Sequence, residues 1–144
     1  MRVLADTNVV LRYVHEDAEQ HAEVEAAVDR LMQRGDELVL VPQVMYEYWV
    51  VATRPYGSNG LSYTTEEAST ALRLLTGAFS LLPDPPDLFA TWLGLVMNHQ
   101  VYGKQAHDAR LAAAVLANKL DALLTLNALD FKRFGLTVLT PADL

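Results

Sequence analysis

The chain has 144 residues, 51% apolar and 20% charged, which suits one domain with a sizeable core and excludes a disordered chain. Eleven basic residues stand against 18 acidic ones, a formal net charge of -7, and this excludes a protein that coats nucleic acid through bulk charge. There is no cysteine, which removes disulfides, thiolate zinc sites and a cysteine nucleophile.

The predicted elements alternate between short apolar runs and longer helical patterns. Val3 to Ala5 reads as a brief buried strand that ends at Asp6, and Asn8 to Val14 as a short helix. Asp17 and Gln20 have capping-box spacing, so a helix is expected from there to about Arg34, with Gly35 as its C-terminal cap. Leu38 to Val41 is a continuous apolar run, the pattern of a strand buried on both faces. Pro42 suits the start of the next helix, Gln43 to Thr53. Residues 54–60 are dense in turn formers and read as a loop. Thr64 with Glu67 makes a second capping box, opening a helix to about Leu75. A short connection with a brief strand is expected over Leu81 to Pro86, then helices over Asp87 to Gln100 and Gln105 to Lys119. Strands follow at Ala122 to Leu126 and Thr137 to Leu139.

This alternation predicts a single α/β domain over residues 1–144, with a parallel sheet between helical layers. No apolar stretch approaches a membrane span and the N-terminus does not read as a signal peptide, so a cytoplasmic protein away from membranes is expected. Open sheets of this kind bind ligands beyond the carboxyl ends of their strands. Asp6 and the run Thr125-Leu126-Asn127 both fall at such ends.

Two further acids lie on apolar stripes. Glu47 shares a helix face with Val44, Tyr48 and Val51, and Asp108 precedes Leu111 and Val115 at helical spacing. Each has an ordinary reading: Asp6 as a helix cap, Asp108 as a charge favoured by the helix dipole, Asn127 and Asp130 as turn residues. Thr7 or Asn8 could cap the first helix instead, leaving Asp6 free. Inward-facing acids cost several kcal/mol unless compensated. A hard divalent cation, Mg²⁺ or Mn²⁺, is the simplest compensator for Asp6, Glu47 and Asp108, and points to phosphodiester chemistry.

Four pieces taken in order carry a resemblance: Leu4-Ala5-Asp6-Thr7-Asn8, Glu47, His107-Asp108-Ala109, and Leu124 to Phe131. Together they resemble the PIN-domain family, and within it the VapC-type ribonuclease toxins of toxin–antitoxin pairs. The resemblance covers nearly the whole chain. It implies a three-layer α/β/α sandwich and a metal-dependent endoribonuclease in which Asp6, Glu47 and Asp108 hold Mg²⁺. Asn127 stands where the family often carries an Asp, a departure that bears on a second metal, with Asp130 as a more distant substitute. The resemblance also implies that Thr7, Asn8 and Thr125 support the acids or orient phosphate. It further implies RNA as substrate, a small antitoxin protein as partner, and a homodimer. Arg12, Arg54, Lys104, Arg110, Lys132 and Arg133 are the cations available to hold RNA. Two rivals remain: a non-catalytic module of the same fold, and a metal-dependent phosphatase, whose second Asp would fall at Asn8.

Overall fold

A computed structural model describes residues 1–144. Its elements are β1 (Arg2–Ala5), α1 (Thr7–Val14), α2 (His21–Gln33), β2 (Glu37–Leu40), α3 (Pro42–Thr53), α4 (Thr65–Ala78), β3 (Ser80–Leu81), α5 (Leu88–Asn98), α6 (Gln105–Ala117), β4 (Ala122–Leu124) and β5 (Val138–Leu139). The five strands form one parallel sheet in the order β3-β2-β1-β4-β5, between helical layers. The architecture is the expected three-layer α/β/α sandwich.

The apolar runs explain the strands. Val3, Leu4 and Ala5 of β1, Val39 and Leu40 of β2, and all of β4 have no exposed surface, so both faces of the central sheet are covered by helices. A Val or Leu buried this completely contributes about 1.5–3 kcal/mol. The Ala-rich α6 packs against α5 and β4, and its Ala109, Ala112 and Ala113 are wholly buried. Small side chains there let the helix backbone approach its neighbours closely.

Most boundaries agree with the sequence reading to within a residue or two at each end. The Thr64–Glu67 capping box is present in full at the start of α4. Gly35 adopts φ +80 just past the end of α2, the left-handed conformation a helix stop requires. One expectation fails. Asp17 caps nothing: α2 begins at His21, and its N-cap is Gln20 at φ 67 without a side-chain cap. The chain from His15 instead turns twice, with Ala18 N–H donating to the His15 carbonyl and His21 N–H to the Ala18 carbonyl. The His21 ring also bonds the Arg12 carbonyl at 2.7 Å, so a tertiary contact fixes where the helix starts.

The strand order sets the position of the site. β1 leads outward to β2 and β3 on one side, while β4 and β5 lie on the other. The order therefore reverses between β1 and β4, and the region beyond their carboxyl ends is where open parallel sheets place a ligand crevice. Asp6 follows β1 there and Thr125 follows β4, stitched by Asp6 N–H donating to the Leu124 carbonyl at 2.9 Å.

Candidate active site

Asp6 is the N-cap of α1, and only 9% of its surface is exposed. Its Oδ1 accepts from Thr7 N–H at 2.6 Å. Its Oδ2 accepts from the Thr125 hydroxyl at 2.6 Å and from the Asn8 amide at 2.9 Å. The capping and site readings thus describe the same residue, and Asp6 is not left free by Thr7 or Asn8. A carboxylate offers about four lone-pair positions, so three donors leave it roughly one.

Glu47, half-buried on α3, lies behind Thr7. The Thr7 hydroxyl donates to its Oε2 at 2.6 Å, and the Gln43 amide to its Oε1 at 2.8 Å. Gln43 is buried and was missed in the sequence reading. Its amide also donates to the His107 carbonyl at 2.8 Å, and its Oε1 accepts from Arg110 at 2.9 Å. Arg110 in turn pairs with Asp84 at 2.9 Å. One network therefore runs from Arg110 on α6 through Gln43, Glu47 and Thr7 to Asp6. The available signal was Gln43 one turn before Glu47, on the same helix face.

Asp108, in the first turn of α6, is half-buried and accepts no hydrogen bond from a protein donor. Burial raises its pKa first, and the nearby charges of Asp130 and Glu47 raise it further, against smaller lowering by His107 and Arg133. Asp6 is pushed up to about 6, chiefly by burial. The Thr125 and Thr7 hydrogen bonds resist that shift, and the charges of Glu47 and Asp108 add to it. Both shifts share two causes, burial and the negative charge of Glu47.

Thr125 is wholly buried, and its hydroxyl also receives Asn127 N–H at 3.0 Å. The Asn8 side-chain Oδ1 accepts from Leu126 N–H at 3.1 Å. With their polar groups spent on Asp6, Glu47 and the β4 end, Thr7, Asn8 and Thr125 hold the acids in place. Asn127 is adjacent to them, with its side chain exposed and without a hydrogen bond. Asp130, also exposed, lies on a one-turn helix and borders the same cleft as Asp108, with Gln105, Leu129, Lys132 and Arg133.

The donors here are all oxygens, the set a hard cation prefers. As arranged, no three His, Asp or Glu side chains are spaced to ligate one ion. Mg²⁺ commonly takes one or two carboxylates and completes its shell with water and phosphate oxygens. Asp108, with its lone pairs open, and the remaining position on Asp6 suit that habit, and Glu47 keeps one lone pair on each oxygen.

The chain belongs to the PIN domain family, which it matches over residues 3–135. Among solved structures it is similar to VapBC2 from Rickettsia felis bound to a DNA fragment from their promoter: TM-score 0.72 and 16% identity, over 97% of this chain and 98% of that one. It is similar to VapBC-1 from nontypeable Haemophilus influenzae, with TM-score 0.70 and 21% identity over 99% of each chain. It is also similar to VapC20 of Mycobacterium tuberculosis, described as a Sarcin-Ricin loop cleaving toxin, with TM-score 0.59 and 15% identity over 84% of this chain and 86% of that one. No curated protein matches the chain by sequence. At such identities the structural likeness establishes the fold.

Proposed function

We propose that this protein is a metal-dependent endoribonuclease and the toxin of a toxin–antitoxin pair. The observation that carries the reading is the hydrogen-bonded chain from Asp6 through Thr7 and Glu47 to Gln43, which reaches the His107 carbonyl beside Asp108, in a chain of the PIN family. The toxin–antitoxin context of its structural neighbours supports the partner assignment.

Mg²⁺ or Mn²⁺ bound to the acids would lower the pKa of a coordinated water and offset charge on the leaving oxygen. Thr125, Asn8 and the Thr7 backbone fix the Asp6 carboxylate in one pose, so little reorganisation is needed when a cation arrives. Gln43 and Thr7 do the same for Glu47. Asp108 contributes the open lone pairs. No serine or cysteine nucleophile is needed: water would attack the phosphorus as the bond from phosphorus to a ribose oxygen breaks, that oxygen leaving with a proton.

A cytoplasmic location and a homodimer fit the same reading. No helix is long and apolar enough to cross a membrane. α5 contains no charged residue and exposes Phe89 at 68% and Met97 at 70%, an apolar surface suited to a second copy of the chain. The acidic crevice suits an antitoxin segment carrying basic residues.

An RNA-cleavage assay with and without EDTA, comparing the intact chain with Asp6→Asn, tests the reading. Cleavage should require the metal and fall at least about 100-fold in the variant, the scale on which a lost electrostatic contact at the reacting centre is felt. Undiminished cleavage by the variant removes Asp6 from the mechanism. No cleavage by the intact chain favours the non-catalytic module.

A further inference from the structure

An acidic site in a chain of net charge -7 repels the very polyanion it is proposed to cut. Some cation must therefore offset the phosphates beside the reacting one. The structure narrows the choice among the six candidate cations. Arg12 bonds the Asn8 carbonyl, Arg54 bonds the Asn59 carbonyl, Arg110 is divided between Asp84 and Gln43, and none of the three borders the Asp108 cleft. Lys104 is exposed but does not border the Asp108 cleft. Lys132 and Arg133 do.

That cleft, about 300 Å³, is lined by Gln105 and Asp108 of α6 and by Leu129, Asp130, Lys132 and Arg133 of the short turns after β4. Arg133 is held in one pose: its Nη2 donates to Gln105 at 2.7 Å, and its guanidinium carbon lies 5.2 Å from the centre of the Phe134 ring. A fixed planar guanidinium suits a phosphodiester, which it can bind with two parallel hydrogen bonds. Lys132 is exposed and has no protein partner, so its charge is free. At the lip, Leu129 is 77% exposed and offers apolar contact to an unstacked base or a sugar. Two cations neutralise too little charge to hold both backbones of a duplex, whereas a single strand can settle with its bases splayed.

Resting on the ribonuclease reading, we propose that Lys132 and Arg133 bind the phosphate adjacent to the one cleaved, and that a single RNA strand crosses the site between Asp108 and the Lys132–Phe134 turn. They are substrate-binding groups, distinct from the acids that would hold the metal.

The test uses the full chain and a fluorescently labelled, unstructured RNA of about 12 nucleotides, within the span such grooves cover. Binding is read by anisotropy across a salt series, and cleavage by kcat and KM. Lys132→Ala and Arg133→Gln should each weaken binding about 5- to 10-fold and shrink the salt slope by about 0.7. Each should raise KM with kcat nearly unchanged, Arg133→Lys should recover part of the loss, and Arg73→Gln on α4 should behave as the parent. If the parent binds and cuts RNA while both variants match it in affinity and slope, the proposal is wrong and the ribonuclease reading stands. If the parent neither binds nor cuts the RNA, both are overturned.

Discussion

The two walls of the crevice are built differently. On the strand side, Asp6 and Glu47 together accept five hydrogen bonds, from Thr7 twice, Asn8, Thr125 and Gln43. On the α6 side, Asp108 accepts none, and its neighbours Asp130, Lys132 and Arg133 are exposed. Three strand ends and helix starts meet at the first wall, so backbone and side-chain donors are fixed by the sheet itself. The second wall is a helix start and a chain of short turns, where side chains meet solvent. The first wall is preorganised and the second is open to ligands.

The largest effect expected from this contrast is a pH dependence of stability. The folded state keeps the Asp6 proton up to about pH 6, whereas the unfolded chain gives it up near 3.8. Between those values the native state binds more protons, so unfolding free energy falls as pH rises, by up to about 3 kcal/mol from this group. Added Mg²⁺ competes with that proton. Its stabilisation should be weak at pH 4, grow through pH 6, and exceed about 2 kcal/mol at neutral pH when the ion is near 100 times its Kd. Thermal melts over pH 4 to 8, with and without millimolar Mg²⁺, check this; a metal effect that is the same at every pH would break the contrast.

Removing a donor from the rigid wall comes next. Thr125→Val deletes the hydroxyl that donates to Asp6 and strands Asn127 N–H, at an expected loss of about 2–3 kcal/mol. It also removes the hydrogen bond that holds the Asp6 pKa down, so the acid limb of the cleavage profile should move to higher pH. Denaturant melts and a pH–rate profile measure the two effects. An unmoved acid limb would show that this contact does not tune Asp6.

The smallest effect should come from outside both walls. Thr64→Ala breaks the α4 capping box and should cost about 1 kcal/mol while leaving cleavage unchanged. A cleavage defect in this variant would mean that the site responds to general destabilisation, blurring the distinction between the walls.

Local rules determined much of this protein from its sequence. Buried strands followed from the runs Val3 to Ala5 and Leu38 to Val41, because only a sheet covered on both faces tolerates uninterrupted apolar residues. The start of α4 followed from Thr64 and Glu67, because that cap is satisfied within four residues. Asp6, Glu47 and Asp108 were legible as acids where helix and strand patterns call for apolar groups. The tertiary structure decided what depends on distant partners. It set α2 to begin at His21, through the contact of that ring with Arg12 rather than through Asp17. It gave buried Gln43 its place as the bridge to α6, since both the His107 carbonyl and Arg110 reach it from more than 60 residues away. It left Lys132 unpaired and set Arg133, bonded to Gln105, beside Asp108 while committing Arg110 elsewhere. Hydrophobic periodicity is written along the chain, but the pairing of polar groups depends on which strand ends meet, and that is settled only when the order reverses between β1 and β4.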